Sequence, residues 1–199
     1  MLVPFFWKGA GNVSAQTNLV YNGDFELYDS CPPFLGALNY AKGWINPTAN
    51  TPDYFNACAP AQISGYPFGF GAANVPNNGW GYQNAHSGYG YAGFFTGCCA
   101  DSSHEYIETQ LLETLQPNTV YCLEAYVSRA DSQLFATNNI GFLFTPGDIS
   151  DYTTGSVLSM YAPQATSGNT IISDDTNWVK ISASFTLTTP CDYLTIGRV

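Results

Sequence analysis

Basic residues are scarce in this chain of 199 residues. Five Lys and Arg stand against 15 Asp and Glu, which gives a formal net charge of −10 at pH 7. Such a field repels nucleic-acid phosphates and anionic lipid, and it favours neutral ligands or cations. Because the sequence also contains no basic run, we exclude nucleic acid as a partner.

Long apolar runs and metal-binding cysteine patterns are missing as well. No apolar stretch approaches the roughly 20 residues that a bilayer-spanning helix needs, so we expect no direct membrane insertion. The six cysteines include no Cys-x-x-Cys pair, and His86 and His104 are the only histidines. These absences argue against a zinc site and favour disulfides formed in an oxidising compartment.

Aromatic and turn-forming residues take the place of the missing charges. Aromatics make up 16% of the chain and charged residues 10%, with 19 Gly and 12 Pro. A surface covered by Asn, Ser, Thr, Gln and Tyr is typical of an all-β, extracellular domain. The length fits one domain with a substantial core.

Residues 1–16 differ in character from the rest of the chain. An apolar run at 2–7 precedes Lys8, and the small residues at 13–16 resemble a signal-peptide cleavage site. Two interpretations stay open: an export-signal remnant and a disordered leader. The domain proper then comprises residues 17–199.

Alternation of apolar and polar residues dominates from position 87 onward. The clearest case lies between 178 and 187, where five apolar residues are predicted to face inward: Val179, Ile181, Ala183, Phe185 and Leu187. Similar patterns predict strands at 89–95, 105–111, 119–128, 140–144 and 193–197. With no pattern for crossover helices, this predicts a two-sheet antiparallel β-sandwich with long Gly/Pro/Asn-rich loops.

A long irregular stretch at 27–88 needs a constraint of its own, because loops of this length are either functional or tied down. Cys31 and Cys58 lie 27 positions apart within it. A disulfide between them would stabilise the fold by about 3–4 kcal/mol in the chain-entropy picture, and we predict this pair. The pairing of Cys98, Cys99, Cys122 and Cys191 stays open.

The segment 18–26 combines an apolar run, a break at Asn22-Gly23 and two carboxylates, Asp24 and Glu26. Calcium takes carboxylate and carbonyl oxygens, so Glu26 and Asp24 are candidate ligands, with carbonyls of the neighbouring turn completing the shell. The alternative is a first β-strand followed by a polar turn.

Aromatic residues at 80–89 form the candidate ligand site. Sugars stack their apolar C–H faces on rings and direct their hydroxyls at polar neighbours. The candidate residues are Trp80, Tyr82, Gln83, His86 and Tyr89. The alternative is a structural role, in which the rings pack in the core and His86 hydrogen-bonds loop backbone.

Catalytic patterns are weak. Ser87 beside His86 does not match Gly-x-Ser-x-Gly, and adjacent strand residues point to opposite faces. A glycosidase needs two facing carboxylates, but no spacing among the acids selects a pair. We therefore predict that the chain is not an enzyme, and a hydrolase ranks third among the functions considered.

Several motifs together resemble a known family. The segment Asn18-Leu-Val-x-Asn-Gly-x-Phe-Glu26 is similar to the opening strand of galactose-binding-like jelly rolls, the fold of many carbohydrate-binding modules. The chain further resembles a module at the N-terminal end of secreted and outer-membrane proteins of gliding-type bacteria. The pieces that carry this are 28–32, 43–44, 51–58, 75–77, 81–93, 105–107, 121–122 and 193–197.

The resemblance implies an exported, non-catalytic jelly roll on the cell surface, often with a structural calcium. It implies binding of a glycan or cell-surface polysaccharide, or adhesion, and relatives usually continue beyond the point where this chain ends. The alternative is a structural spacer that positions a cell-wall-anchoring or sorting domain. Rings at 80–89 exposed along a groove would favour binding, and their burial under the 27–88 loops would favour the spacer.

Overall fold

The computed structural model describes the backbone of residues 2–8, and residues 17–61, 69, 71–97, 104–149 and 161–198. Cys98 and Cys99 lie outside the described residues. Within these ranges, helix is confined to one 3₁₀ turn at Leu38–Tyr40. No helix there has the length and apolar character that crossing a membrane would require.

The described chain is all-β, as predicted. Its strands, in chain order, are Leu2–Lys8 (β1), Trp44–Ile45 (β2), Asp53–Asn56 (β3), Asn77–Asn78 (β4), Gly81–Tyr82 (β5), Gly90–Gly93 (β6), Tyr106–Leu115 (β7), Tyr121–Val127 (β8), Ile140–Thr145 (β9), Ala165–Thr166 (β10), Val179–Phe185 (β11) and Cys191–Arg198 (β12).

Two antiparallel sheets carry the fold. The first sheet has the order β11-β8-β1-β6-β3, and the second has the order β10-β9-β12-β7-β2; β4 and β5 form a separate ribbon. The sheets pack face to face, since Phe144 of the second sheet stacks on Phe185 of the first with ring centroids 4.4 Å apart. This arrangement is consistent with the predicted β-sandwich.

Side-chain alternation sorts the residues between core and surface. Every second residue of β8, from Tyr121 to Val127, is buried, and those between are half-exposed. In β11, Ile181 and Phe185 are buried while Lys180 and Ser182 face water. The pattern predicted from sequence is confirmed here, because a period of two places alternate side chains on opposite faces of a sheet.

The opening segment 18–26 contains the polar turn that was one of the two expectations for it, but its apolar run forms no extended strand. Its one ladder contact is a bridge between Val20 and Leu111. The Asn22 side chain accepts from the N–H of Leu27 at 2.8 Å and donates to the Lys42 carbonyl at 3.0 Å. These bonds curl the chain, with Asn22 at φ 50° and Phe25 at φ 60°, because a side-chain amide can compete with a backbone ladder.

Strand β1 lies in the middle of the first sheet. It pairs with β8 along its length, from Leu2↔Val127 to Lys8↔Tyr121, and with β6 at Leu2↔Ala92. Met1 and residues 9–16 lie outside the described part of the chain. The interpretation of residues 1–16 as an export-signal remnant or leader therefore stays a prediction.

The long loops form an outer layer over the first sheet. Phe55 and Tyr91 point away from the main core and form a second cluster with Ala73, against which Trp80 and Trp178 pack. The predicted disulfide between Cys31 and Cys58 is confirmed, with the two Cα atoms 5.5 Å apart. Cys122 and Cys191 are free thiols.

Candidate ligand-binding cavity

The five residues predicted to contact a ligand do not share one surface. The Trp80 indole is half-buried, and its Nε1–H donates to Asp53 Oδ2 at 2.9 Å. Tyr82 is 54% exposed on the short ribbon, where its N–H donates to the Asp131 carboxylate at 2.9 Å. Tyr89 is 67% exposed.

Gln83 and His86 each contact other side chains of the protein. Gln83 is buried, and its Oε1 accepts from Ser128 Oγ at 3.1 Å. His86 stacks on Tyr126, with ring centroids 3.8 Å apart, and meets the edge of Trp178 at 6.0 Å. Burial lowers the His86 pKa, so the imidazole is neutral at pH 7. Of the five predicted residues, Trp80 alone lines the cavity described next.

A cavity of about 310 Å³ opens at one end of the sandwich. It lies where β6, β8 and β12 end and where β3, β7 and β9 begin. Its lining combines rings with charged groups, among them Phe55, Trp80, Phe135, Asp53, Glu105 and Arg129. A concave site of this size with a few polar groups among apolar walls is typical of small-ligand sites.

Asp53 is the buried acid of this cavity, at 6% exposure. It begins β3 and points to the same face as Phe55, away from the main core. Its Oδ1 accepts the N–H of Gly36 at 2.6 Å, and its Oδ2 accepts the indole N–H of Trp80. Burial raises the pKa of Asp53 to about 7, against the two hydrogen bonds that lower it, and Glu105 raises it further.

Glu105 is the second acid of the cavity and precedes β7. Its Oε1 accepts the N–H of Thr51 at 3.0 Å, and its Oε2 accepts the N–H of Phe95 at 2.8 Å. Burial is the main cause that raises its pKa. The carboxylate therefore ties the loop before β3 to the chain that follows β6, and it faces the cavity from there.

The far wall is a loop braced by Arg129. The guanidinium donates from Nε to the Ser173 carbonyl at 3.0 Å, from Nη1 to the Gln133 carbonyl, and from Nη2 to the Asp175 carboxylate. This bracing holds residues 129–133 in a turn. Phe135 follows at 62% exposure and lines the cavity mouth.

Sequence reasoning missed Asp53, Glu105, Arg129 and Phe135 as site residues. Asp53 and Glu105 do lie inside two of the motifs that carried the family resemblance, 51–58 and 105–107. The sequence did offer one signal, an acidic residue at the start of an apolar strand. Strand starts of this kind meet at one end of the sandwich, where the cavity lies. Nothing in the spacing of Arg129 or Phe135 identified them.

The groups predicted to bind calcium around Asp24 and Glu26 form hydrogen bonds within the protein. Glu26 Oε1 already accepts the N–H groups of Tyr89 at 2.6 Å and Gly90 at 2.9 Å. The turn carbonyls of Asn22 and Phe25 accept Trp44 Nε1–H and Tyr54 Oη–H, both at 2.9 Å. Among the described residues, no three Asp, Glu, His or Cys side chains group as metal ligands. The ion stays a prediction.

Replacing Glu26 tests both roles. We expect Glu26→Ala to lower the free energy of unfolding by about 2 kcal/mol, because two N–H groups lose a charged acceptor. Urea denaturation measures this, with Glu113→Ala, an exposed acid on β7, as the matched control. A rise in Tm with calcium chloride that Glu26→Gln abolishes would establish the ion, and equal Tm values in calcium and in chelator would remove it.

Comparison with models of known protein families and with curated proteins finds no match to this chain.

Proposed function

We propose that this chain is a non-catalytic carbohydrate-binding or adhesive module that acts outside the cell or on a bacterial cell surface, with a galactose-binding-like jelly-roll fold. The observation that carries the proposal is the cavity at the sandwich end, where rings and hydrogen-bonding groups line one concave site. The sandwich-like fold, the Cys31–Cys58 disulfide and the scarcity of charged residues support an exported domain.

The chemistry of the lining suits a saccharide. Trp80, Phe135 and Phe94 line the cavity with rings on which a pyranose can stack, and Gln133 and Asn138 contribute amide groups. A sugar binds a protein through both kinds of contact, because its C–H faces stack on rings and its hydroxyls hydrogen-bond to polar groups. The volume also falls at the lower end of the roughly 300–1,000 Å³ that ligand pockets occupy, which favours one or two sugar units.

A glycan array followed by calorimetry tests the proposal. We expect Phe135→Ala to weaken binding of the best glycan about tenfold, because one exposed ring contact is lost without disturbing the core. Tyr82→Ala is the matched control, since Tyr82 is similarly exposed but lies outside the cavity. If Tyr82→Ala weakened binding more than Phe135→Ala, the ligand site would lie in the aromatic stretch at 80–89 instead. An array without binders would favour the structural spacer.

A hydrolase stays the third candidate, after the structural spacer, and one observation favours it: Asp53 and Glu105 line the same cavity, and Glu105 raises the pKa of Asp53. Such a pair is what an acid–base mechanism on a glycosidic bond uses. Binding ranks first because N–H groups already donate to both oxygens of each carboxyl, which suits these carboxyls to accept hydrogen bonds from a ligand rather than to donate a proton to it. Release of reducing ends from a bound oligosaccharide, abolished by Asp53→Asn, would reverse this ranking.

A further inference from the structure

The charged groups of the cavity are unevenly paired. Arg129 forms its ion pair with Asp175, which lies outside the lining. Neither Asp53 nor Glu105 forms an ion pair with any base in the part of the chain that the structure describes. Arg198, whose Nη1 donates to the Thr96 carbonyl at 3.3 Å, contributes the one remaining positive charge of the described lining. The described lining therefore holds two acids and two arginines, and Arg129 is already paired with an acid outside it.

Aromatic rings line the same cavity as these acids. Phe55, Trp80, Phe94, Phe95 and Phe135 all contribute to the lining. The face of an aromatic ring carries negative partial charge and attracts a cation, most strongly when water is excluded. Rings and carboxylates in one cavity thus both favour a positively charged ligand atom.

Burial strengthens this preference. Taking a carboxylate out of water costs free energy unless an opposite charge compensates it. Both acids respond by holding their protons more tightly, as their raised pKa values show. A bound cation would supply the compensating charge in place of the proton, and the chain's formal charge of −10 adds a long-range attraction.

We propose that the ligand of this cavity carries a protonated amine beside an apolar ring face, as an amino sugar does. The inference rests on the proposed function and narrows its substrate class. The ammonium group lies between the carboxylates of Asp53 and Glu105, and the sugar ring stacks against the aromatic wall. A neutral sugar of the same shape lacks the compensating charge and binds more weakly.

Calorimetry with two matched disaccharides tests the inference on the wild-type chain. The β-1,4-linked glucosamine dimer and cellobiose share one ring framework and differ by an ammonium or a hydroxyl at each second carbon. We expect the glucosamine dimer to bind at least about tenfold more tightly. Equal affinities for the two sugars would overturn the inference and leave the proposed function standing. If neither sugar binds and the glycan array is also empty, the inference and the proposed function are both wrong.

A variant locates the preference. Glu105→Gln keeps the size of the side chain and removes its charge, so we expect it to reduce the preference for the glucosamine dimer severalfold while cellobiose affinity stays unchanged. Glu113→Gln, an exposed acid on β7 outside the cavity, is the control. An undiminished preference in a folded Glu105→Gln protein would contradict the assignment. If that variant does not fold, the same comparison on Asp53→Asn decides.

Discussion

Stability should fall as the pH rises through the range in which Asp53 ionises. The folded-state pKa of this carboxyl is about 7 against an ordinary 3.8, so the folded protein binds the proton more tightly than the unfolded chain. Its contribution is therefore fully present below pH 3.8 and is lost as the pH passes 7. Linkage sets the loss at about 4 kcal/mol between the two limits.

Urea denaturation between about pH 4 and pH 8 measures this effect. The comparison is with Asp53→Asn, which cannot ionise, so the difference in slope isolates Asp53 from Glu105 and the other titrating groups. The variant also loses one acceptor for Gly36 or Trp80, which lowers its stability at every pH without changing the slope. If the free energy of unfolding changed with pH in the same way in both proteins, Asp53 would have an ordinary pKa and would not be buried as described.

Removing the Trp44 side chain should cost about 4 kcal/mol of unfolding free energy, a typical value for truncating a buried tryptophan. The ring is 2% exposed and stacks on Phe25 with centroids 4.8 Å apart. Its Nε1–H donates to the Asn22 carbonyl and so holds the opening turn against the second sheet. Trp44→Ala leaves a cavity and removes one of the two hydrogen bonds to the Asn22 carbonyl, which still accepts the N–H of Phe25 at 3.1 Å.

Two further variants separate these contributions. Trp44→Phe keeps most of the ring and removes the hydrogen bond, so we expect a loss of about 1–2 kcal/mol. Ile45→Ala is the neighbouring residue of the same strand at 39% exposure, and it should cost less than about 1 kcal/mol. A Trp44→Ala protein within about 1 kcal/mol of the wild type would show that the opening turn is not anchored to the core.

Long strands with one buried face were predictable from sequence, and strands of two residues were not. β8 and β11 alternate over seven residues each, so the pattern identifies both strand and face. β2, β4, β5 and β10 are two residues long, too short for any period to register. The polar turn expected after the apolar run at 18–21 is present, but the run itself forms a single bridge rather than a strand. Asn22 hydrogen-bonds the backbone of Leu27 and Lys42, and the contact across 20 positions is one that no local pattern shows.

The disulfide could be predicted from sequence, whereas the cavity could not. Cys31 and Cys58 were identifiable because both lie in one long loop that needs a constraint. The cavity gathers Asp53, Trp80, Glu105 and Phe135 from four separate segments of the chain, and tertiary packing alone brings them together. Trp80 was found by residue type, since a tryptophan among glycines is conspicuous. The acids were not found, because burial rather than spacing gives them their character.

The position of a bound saccharide tests the central claim most directly. Amide shift mapping by NMR, during titration with the tightest-binding saccharide of the array, would report contact along the whole chain. We predict the largest shifts at Phe95, Ser128 and Phe135, which line the cavity. Largest shifts at Tyr82 and Tyr89 instead, with the cavity residues unmoved, would contradict the account.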